Sequence, residues 1–202
     1  MPCRVPVILM VTEALIQGCI QRDERAEYAL YKALYPMLMG ICARYERNTQ
    51  DAAATLNAGF LKILTGLNAR PSGSPFEAWA RRIVINTVID RYRRERPRRE
   101  HEQLVDDPPT EVAVANDYLK EVEAEELRRA IASLPPMSRN VFNLFAIDGY
   151  PHAEIAELLQ ISEGTSKWHV NHARTLLKRA LAERGRETTP TPKHHEQPER
   201  VR

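Results

Sequence analysis

Apolar side chains recur at three- and four-residue intervals along most of the chain, the spacing that places them on one face of an α-helix. In the first half this pattern predicts four helices, each with one apolar stripe. The stripes consist of Leu15, Ile16, Cys19 and Ile20; of Leu30, Leu34, Met37, Leu38 and Ile41; of Leu56, Phe60, Ile63, Leu64 and Leu67; and of Phe76, Trp79, Ala80 and Ile83. Since each stripe must be buried against the others, we predict a compact four-helix module.

The pattern stops in the middle of the chain and then resumes. Residues 99–116 lack apolar periodicity and include two aspartates followed by two prolines, which indicates an extended linker. Helical spacing returns between Leu119 and Leu134, with Leu127 among the apolar positions, and two consecutive prolines then interrupt it. A new helix is predicted to begin at Ser138, because serine is a favoured N-cap residue.

We therefore predict an all-α protein with two helical domains joined by a flexible acidic linker. The predicted boundaries are an N-terminal extension over residues 1–11, a first module over 12–98, the linker over 99–116, a second module over 117–185 and a tail over 186–202. The tail contains three prolines and hardly any apolar residue, so it is predicted to be disordered.

The formal net charge of +2 hides a strong segregation of charge along the chain. Residues 81–100 contain eight arginines and have a net charge of +5, residues 101–127 have a net charge of −8, and residues 128–202 have a net charge of +4. Basic blocks of this density favour a polyanionic partner such as a nucleic acid. No window approaches about 18 uncharged apolar residues, so no membrane span is predicted.

The later part of the second module follows the pattern of a helix-turn-helix. A short helix over residues 152–160 is followed by a corner at Ile161 and Ser162, where Ser162 can cap a long helix that continues to about residue 184. The predicted buried positions are Ile155, Ala156 and Leu159 in the first helix and Val170, Ala173, Leu177 and Leu181 in the second. In this motif the second helix offers its first turns to the major groove of DNA.

The outward positions of that second helix are the candidate DNA contacts. They are Thr165, Lys167, Trp168, Asn171, His172, Arg174 and Lys178. Lysine can reach the O6 and N7 atoms of guanine and asparagine can bracket adenine, whereas Arg174 and Lys178 are better placed for phosphates. The alternative, which the pattern leaves open, is an ordinary helical hairpin with a solvated basic face.

Both halves resemble sequence regions of one known family. The second half resembles region 4 of extracytoplasmic-function sigma factors of the sigma-70 family, and the first half resembles their region 2. The matching residues are 134–136, 141–142, 149–156 (Gly-Tyr-Pro-His-Ala-Glu-Ile-Ala), 161–167 and 173–174 in the second half, and 76–79 (Phe-Glu-Ala-Trp), 82–83, 86–87, 90 and 92–94 in the first. The resemblance covers roughly residues 12–185, with both regions in the order expected of the family.

The resemblance implies a dissociable subunit that directs bacterial RNA polymerase to promoters and supports DNA melting. Such a subunit acts in the bacterial cytoplasm. The second module would read the −35 element as a duplex, and the first would hold the melted −10 element with one base flipped out of the stack. The residues that the resemblance assigns to the −10 element are Asn86, near the base pocket, and Arg81, Arg82, Arg91, Arg93 and Arg94, on phosphates. A helix-surface role for Asn86 and a solvated face for some arginines remain alternatives.

The resemblance also implies protein partners. These are the polymerase core, contacted through its clamp helices and flap, and an anti-sigma factor as a possible inhibitor. The surface for the clamp helices would include Asp51 and Asn57. Here the chain departs from the family, because Ala53, Ala54 and Ala58 stand where carboxylates are expected and Asn57 replaces a glutamine.

Two other function classes are alternatives to a sigma factor. A stand-alone helix-turn-helix regulator would explain the alanine-rich surface, although it leaves the arginine-rich fourth helix without a role. A metal-dependent enzyme would need clustered ligands, but the six histidines are scattered and the three cysteines form no CxxC pair. No HExxH, glycine-rich phosphate loop or nucleophile elbow occurs, so we expect no catalytic activity, no metal and no cofactor.

Overall fold

The computed structural model describes residues 11–46, 48–102 and 120–187. Eight α-helices lie within these ranges, so the predicted all-α fold is confirmed there. They are α1 (Glu13–Ile20), α2 (Glu24–Tyr45), α3 (Thr49–Gly66), α4 (Phe76–Glu102), α5 (Lys120–Ala132), α6 (Pro136–Phe142), α7 (His152–Leu159) and α8 (Glu163–Glu187). A 3₁₀ turn over Leu67–Ala69 follows α3, and a π-helical turn over Asn143–Ile147 follows α6.

Polar side chains fix where the helices of the first module begin. Thr12, Asp23 and Asn48 each accept a hydrogen bond from a backbone N–H in the first turn of α1, α2 and α3, at 3.3, 3.0 and 2.8 Å. Such caps satisfy amide groups that have no partner inside the helix. These caps therefore fix the residues at which α1, α2 and α3 begin.

The core of the first module is built from the predicted stripes of α1 to α3 and from one side of α4. Leu30, Ile41, Leu56 and Ile63 are fully buried in it. In α4 the predicted stripe is only partly right, because Phe76, Trp79 and Ile83 are partly buried, whereas the buried residues are Ala80, Val84, Ile85, Val88 and Ile89. Helices α3 and α4 cross closely at Gly59, where an added Cβ would lie only 2.9 Å from Cγ2 of Val84. This crossing places the outer face of α4, with its arginines, on the surface of the module.

The second module has a smaller core between α5, α6 and α8. Ala130, Ile131, Leu134, Ala173 and Leu177 are buried together there. The short helix α7 packs across the start of α8, which gives the predicted helix-turn-helix its second layer.

Three details of the second module differ from the sequence analysis. Leu127 and Leu181 were predicted inside but are 43% and 40% exposed, because α5 and α8 extend beyond the area that their partners cover. Helix α6 begins at Pro136 rather than at Ser138, since proline fits the first turn of a helix, where its missing N–H is not needed. Ser138 is buried within this helix. Leu119 lies outside the described residues.

The two modules pack against each other. Val141, Leu144, Tyr150, Ile155 and Leu159 of the second module belong to the same buried cluster as the core of α1 to α4. The sequence predicts two modules joined by a flexible linker, and the periodicity within single helices gives no sign of this shared core. Both candidate DNA-binding helices thus belong to one packed body in this structure.

Two helices extend beyond the predicted ends of their modules. Helix α4 continues past residue 98 to Glu102, and α8 continues to Glu187. The remainder of the predicted linker, 103–116, and of the tail, 188–202, lies outside the described residues, as does most of the extension, 1–10. No helix in the described ranges combines the length and apolar character needed to cross a bilayer.

Candidate nucleic-acid interface

The corner between α7 and α8 has the geometry of a helix-turn-helix. Gln160 adopts a left-handed backbone conformation with φ of 55° and ends α7. The N–H of Ile161 donates to the carbonyl of Ala156 at 3.0 Å, a bond that closes the C-terminal turn. Ser162 then accepts a hydrogen bond from the N–H of Thr165 at 3.0 Å, which confirms its predicted capping role.

A partly buried polar pair behind the corner was not foreseen from the sequence. Nδ1 of His152 lies 2.9 Å from Oγ of Ser166, a serine with no exposed surface, and the His152 ring stacks on Phe145 with the ring centres 4.4 Å apart. Ser166 lies four residues before Val170, which belongs to the apolar stripe of α8. This spacing was the signal in the sequence that Ser166 lies on the buried side of the helix. The pair ties the start of α7 to the start of α8.

The outward face of α8 carries most of the candidate DNA contacts. Exposed side chains on it are Thr165, Lys167, Trp168, Asn171, Arg174 and Lys178. From the first to the last, the face extends over about 20 Å of helix at 1.5 Å per residue. An α-helix with such a polar, mostly exposed face fits the major groove of B-DNA, which is about 12 Å wide.

His172 differs from these neighbours because it is only partly exposed. Its ring stacks under Trp168 with the centres 4.7 Å apart, and its Nδ1 lies 3.3 Å from Oγ of Ser138. Nδ1 of His169 lies 2.9 Å from the same oxygen. Burial, and to a lesser degree the neighbouring His172, lower the pKa of His169. The His169 ring also meets the Trp168 ring edge-on, with the centres 4.9 Å apart. The two histidines thus hold Trp168 in position, while that residue remains 57% exposed.

The arginines of α4 are less uniform than their spacing suggested. Arg81 and Arg94 are exposed, and Arg93 is partly exposed. Arg82 is exposed too, but its guanidinium forms an ion pair with Glu154 of α7 in the second module. Asn86 lies on the same helix and is partly buried.

Arg91 is the centre of an ion-pair network inside the first module. It pairs with Asp51 through Nη2 and with Glu95 through Nε at 2.7 Å, and its Nε lies 3.7 Å from Oε1 of the buried Glu46. Its Nη1 also donates to Oγ1 of Thr55 at 3.0 Å. Partial burial alone would lower the pKa of Arg91, but the hydrogen bonds to Glu95 and Asp51 outweigh it and raise the pKa. The sequence analysis expected Arg91 on phosphate, whereas the structure gives its guanidinium four partners in its own module.

The two candidate polymerase contacts also have partners within the first module. Asp51 is held by Arg91 and by Asn48, whose Nδ2 donates to Oδ2 of Asp51 at 3.0 Å. Asn57 accepts a hydrogen bond from the hydroxyl of Tyr31 at 3.2 Å and is otherwise exposed. Beside it the outer face of α3 carries small or apolar side chains at Ala54, Ala58 and Leu61, and Leu61 is 62% exposed.

Among the residues that the structure describes, no three histidine, cysteine or carboxylate side chains are close enough together to hold a metal ion. Cys19 and Cys42 are free and buried. Burial and the nearby Glu46 raise the pKa of the Cys42 thiol to about 12.

Comparisons with known proteins agree with this geometry. A family model described as sigma-70 region 2 matches residues 30–98, and one described as sigma-70 region 4 matches residues 124–177. The chain is 25% identical over 187 residues to the RNA polymerase sigma-H factor of Pseudomonas aeruginosa, covering 85% of this chain and 96% of that protein. It is 27% identical over 168 residues to the ECF RNA polymerase sigma factor SigM of Mycobacterium tuberculosis, covering 83% of each.

A solved structure shows the same fold. The sigma factor RpoE in complex with the anti-sigma factor NepR, from Bartonella quintana, matches with a TM-score of 0.53 and 19% identity over 75% of this chain and 94% of that one. Because both modules match and in the same order, the comparisons do not favour a stand-alone helix-turn-helix regulator.

Proposed function

We propose a division of promoter recognition between the two modules, from the premise that this chain belongs to the extracytoplasmic-function group of the sigma-70 family. As a member of that group it is a promoter-specific initiation factor of bacterial RNA polymerase, and its partners are the polymerase core and promoter DNA. The observation that carries the proposal is the exposed polar face of α8 behind the Ser162 corner.

In this proposal α8 reads the −35 element from the major groove. Lys167 and Asn171 are exposed on its first turns and carry the donors that pair with guanine and adenine edges. Trp168, held by His172, supplies an apolar surface for a thymine methyl group or a sugar. Arg174 and Lys178 lie farther along and contact phosphates, which sets affinity rather than sequence preference.

The first module holds the melted −10 strand along α4. Arg81, Arg93 and Arg94 have the exposure that phosphate binding requires, and Asn86 offers an amide to the edge of a flipped base. Arg82 joins this set only after its ion pair with Glu154 is released. Arg91 instead stabilises the module, because its charge is already matched by Asp51, Glu46 and Glu95.

Docking on the polymerase clamp uses the outer face of α3. Asn57, Leu61 and the alanines around them form a face with little charge, so the contact is more apolar than in relatives that carry carboxylates there. Asp51 contributes to this surface while remaining paired with Arg91.

The remaining features follow from this role. The chemistry of transcript formation resides in the polymerase, and the protein needs no catalytic residue, metal or cofactor of its own. It acts with the polymerase in the bacterial cytoplasm. An anti-sigma factor is a candidate regulatory partner, since the solved structure that shares the fold is a sigma factor bound to one.

The experiment that tests the proposal is reconstitution with purified polymerase core, followed by run-off transcription from the DNA upstream of the protein's own gene. The proposed function predicts a discrete transcript that requires both the core and this chain. Lys167→Ala should reduce the use of the promoter and its dependence on the −35 sequence.

Lys62→Ala is the matched control, because it removes an exposed lysine from the first module, where it pairs with Asp90 at 3.3 Å. The control should retain the dependence on the −35 sequence. Unchanged promoter choice in Lys167→Ala would remove that residue from base readout, and absence of any transcript would contradict the function itself.

A further inference from the structure

The contact between the two modules is polar where the end of α2 meets the turn before α7. Asp148 has a side chain with no exposed surface, and both of its carboxylate oxygens are bound by the other module. Nη2 of Arg44 donates to Oδ1 at 2.7 Å, and the hydroxyl of Tyr45 donates to Oδ2 at 2.6 Å. Burial and the adjacent Asp148 raise the pKa of Tyr45 well above its ordinary value, so the hydroxyl keeps its proton and remains a donor.

Two hydrogen bonds to the backbone of α2 complete this contact. Nδ2 of Asn143 donates to the carbonyl of Arg44 at 2.9 Å, and Nη2 of Arg139 donates to the carbonyl of Tyr45 at 3.1 Å. Asn143 begins the π-helical turn, a conformation often found at functional positions. The last turn of α2 is thus held at two side chains and two carbonyls by the second module.

The composition of this contact suits it to opening. Arg44 Nε, Asn140 Oδ1 and Asn143 Oδ1 are buried without a hydrogen-bond partner from the protein. Separation of the modules would expose these atoms to water, and it would also rehydrate Asp148 and Tyr45. This polar part of the contact therefore loses less on separation, for an equal area, than the apolar part formed by residues such as Val141, Leu144 and Ile155.

The contact between the modules is incompatible with simultaneous binding of both modules to the two elements of one promoter. Elements centred at −35 and −10 lie about 25 base pairs apart, which is roughly 85 Å at 34–36 Å per helical turn. Here the modules touch, with the hydroxyl of Tyr92 only 3.9 Å from Sδ of Met137. In addition, Arg82 is bound to Glu154 instead of being available to DNA.

The chain between the modules is long enough for an open form. Seventeen residues separate the end of α4 at Glu102 from the start of α5 at Lys120. A segment of that length spans at most about 60 Å when fully extended. Together with α4, which is about 40 Å long, it allows the modules to reach both elements.

We propose that Asp148, Arg44 and Tyr45 form an intramolecular latch that keeps the free chain closed, and that binding to the polymerase core opens it. The inference rests on the proposed function, because it assumes that both modules act on one promoter. In the closed chain the face of α8 remains exposed, so the latch restricts simultaneous contact with both elements rather than contact with the −35 element alone. The apparent affinity for the core is therefore the affinity of the open form multiplied by the fraction of open molecules.

Four full-length proteins test the latch: the wild type, Asp148→Asn, Tyr45→Phe and Glu13→Gln. Asp148→Asn keeps the shape of the side chain but removes the charge that Arg44 and Tyr45 bind. Tyr45→Phe removes one hydroxyl from the opposite side and serves as a second variant with little effect on folding. Glu13→Gln is the matched control, since it neutralises a carboxylate whose ion pair, with Arg70 at 3.2 Å, lies wholly within the first module.

Small-angle scattering of the free proteins, affinity for the polymerase core and run-off transcription are the three measurements. We expect Asp148→Asn to have a larger radius of gyration and about tenfold tighter core binding, and Tyr45→Phe to show the same changes at about threefold. Binding to a −35 duplex without polymerase should be equal in all four proteins, which also shows that the second module is folded.

The outcomes separate the latch from the function on which it rests. Transcription by all four proteins with equal core affinity would overturn the latch and leave the proposed function standing. A more open Asp148→Asn chain with unchanged core affinity would overturn it as well. Absence of transcription from all four would contradict the proposed function, and the latch with it.

Discussion

The two basic helices of this protein use their charges differently. On α8 the candidate DNA contacts lie on one exposed face, and only His172 is partly withdrawn into the protein. On α4 the arginines are divided: Arg91 neutralises carboxylates of its own module, Arg82 is paired with the second module, and Arg81 and Arg94 face solvent. Residues with the same charge in the sequence thus differ in how available they are for binding DNA in the folded protein.

The difference shows what decides whether an arginine can bind DNA. A guanidinium that already has several charged partners would have to break those bonds to bind a phosphate, whereas an exposed one exchanges only water and counterions. The availability of a charge therefore depends on its neighbours in space.

The largest effect is expected from removing Arg91. Among the described residues, Arg91→Ala leaves the buried Glu46 with only the hydroxyl of Thr55, which donates at 2.7 Å, and it removes the main partner of Asp51. Loss of one member of such a partly buried network should cost about 3 kcal/mol of the free energy of unfolding. Urea denaturation followed by circular dichroism measures this cost.

Arg94→Ala is the matched substitution on the exposed side of α4. It should change the free energy of unfolding by less than about 0.5 kcal/mol. It should also reduce the salt dependence of open-complex formation by about one released counterion, measured from transcription across a salt series. Equal losses of stability in the two variants would contradict the division of arginines described above.

A second pair of substitutions divides α8 between base readout and phosphate binding. Asn171→Ala should cost about 1–3 kcal/mol against the preferred −35 duplex and should relax the preference at one base pair. Lys178→Ala should weaken binding to every duplex to a similar degree and lower the salt slope by about one. Fluorescence anisotropy with a set of duplexes that each differ by one base pair distinguishes the two patterns. A loss of affinity of Asn171→Ala that is uniform over these duplexes would show that Asn171 contacts the DNA backbone rather than a base.

Much of the fold could be predicted because it depends on local patterns. The stripes of α2 and α3, the N-cap at Ser162 and the buried positions Ala173 and Leu177 follow from spacing along a single helix. The outward face of α8 then followed by elimination. Each of these features is decided within a few turns of helix, where sequence separation and spatial separation agree.

Features that join distant parts of the chain were not predictable in this way. Arg91 meets Asp51 forty residues away, and Arg44 meets Asp148 across more than one hundred. A sequence shows that these residues are charged but not that they are neighbours. The contact between the modules could not be predicted for the same reason. Its central residues, Arg44, Tyr45 and Asp148, do not interrupt the apolar stripe of any helix.

A smaller effect is expected at the start of α8. Ser162→Ala removes the side chain that accepts the Thr165 N–H at 3.0 Å, and loss of such a cap costs about 1 kcal/mol. Amide hydrogen exchange should show the loss in the first turn of α8 while α4 remains unchanged. Thr175→Ala, which removes an exposed hydroxyl farther along the same helix, should leave the first turn as it is.

The smallest effect concerns the histidine that helps to hold Trp168. Burial lowers the pKa of His169 below its usual value of 6.5, so the folded protein favours the neutral ring more than the unfolded chain does. This contribution is complete above the usual pKa and is lost as the pH falls through the lower pKa of the folded state, because the unfolded chain then binds more protons. Since the ring is partly exposed, solvent screening should keep the change below about 1 kcal/mol. Thermal unfolding between pH 7.5 and 5.5 should therefore show a slightly steeper loss of stability in the wild type than in His169→Gln, and parallel curves would show that the ring's protonation does not affect this face of α8.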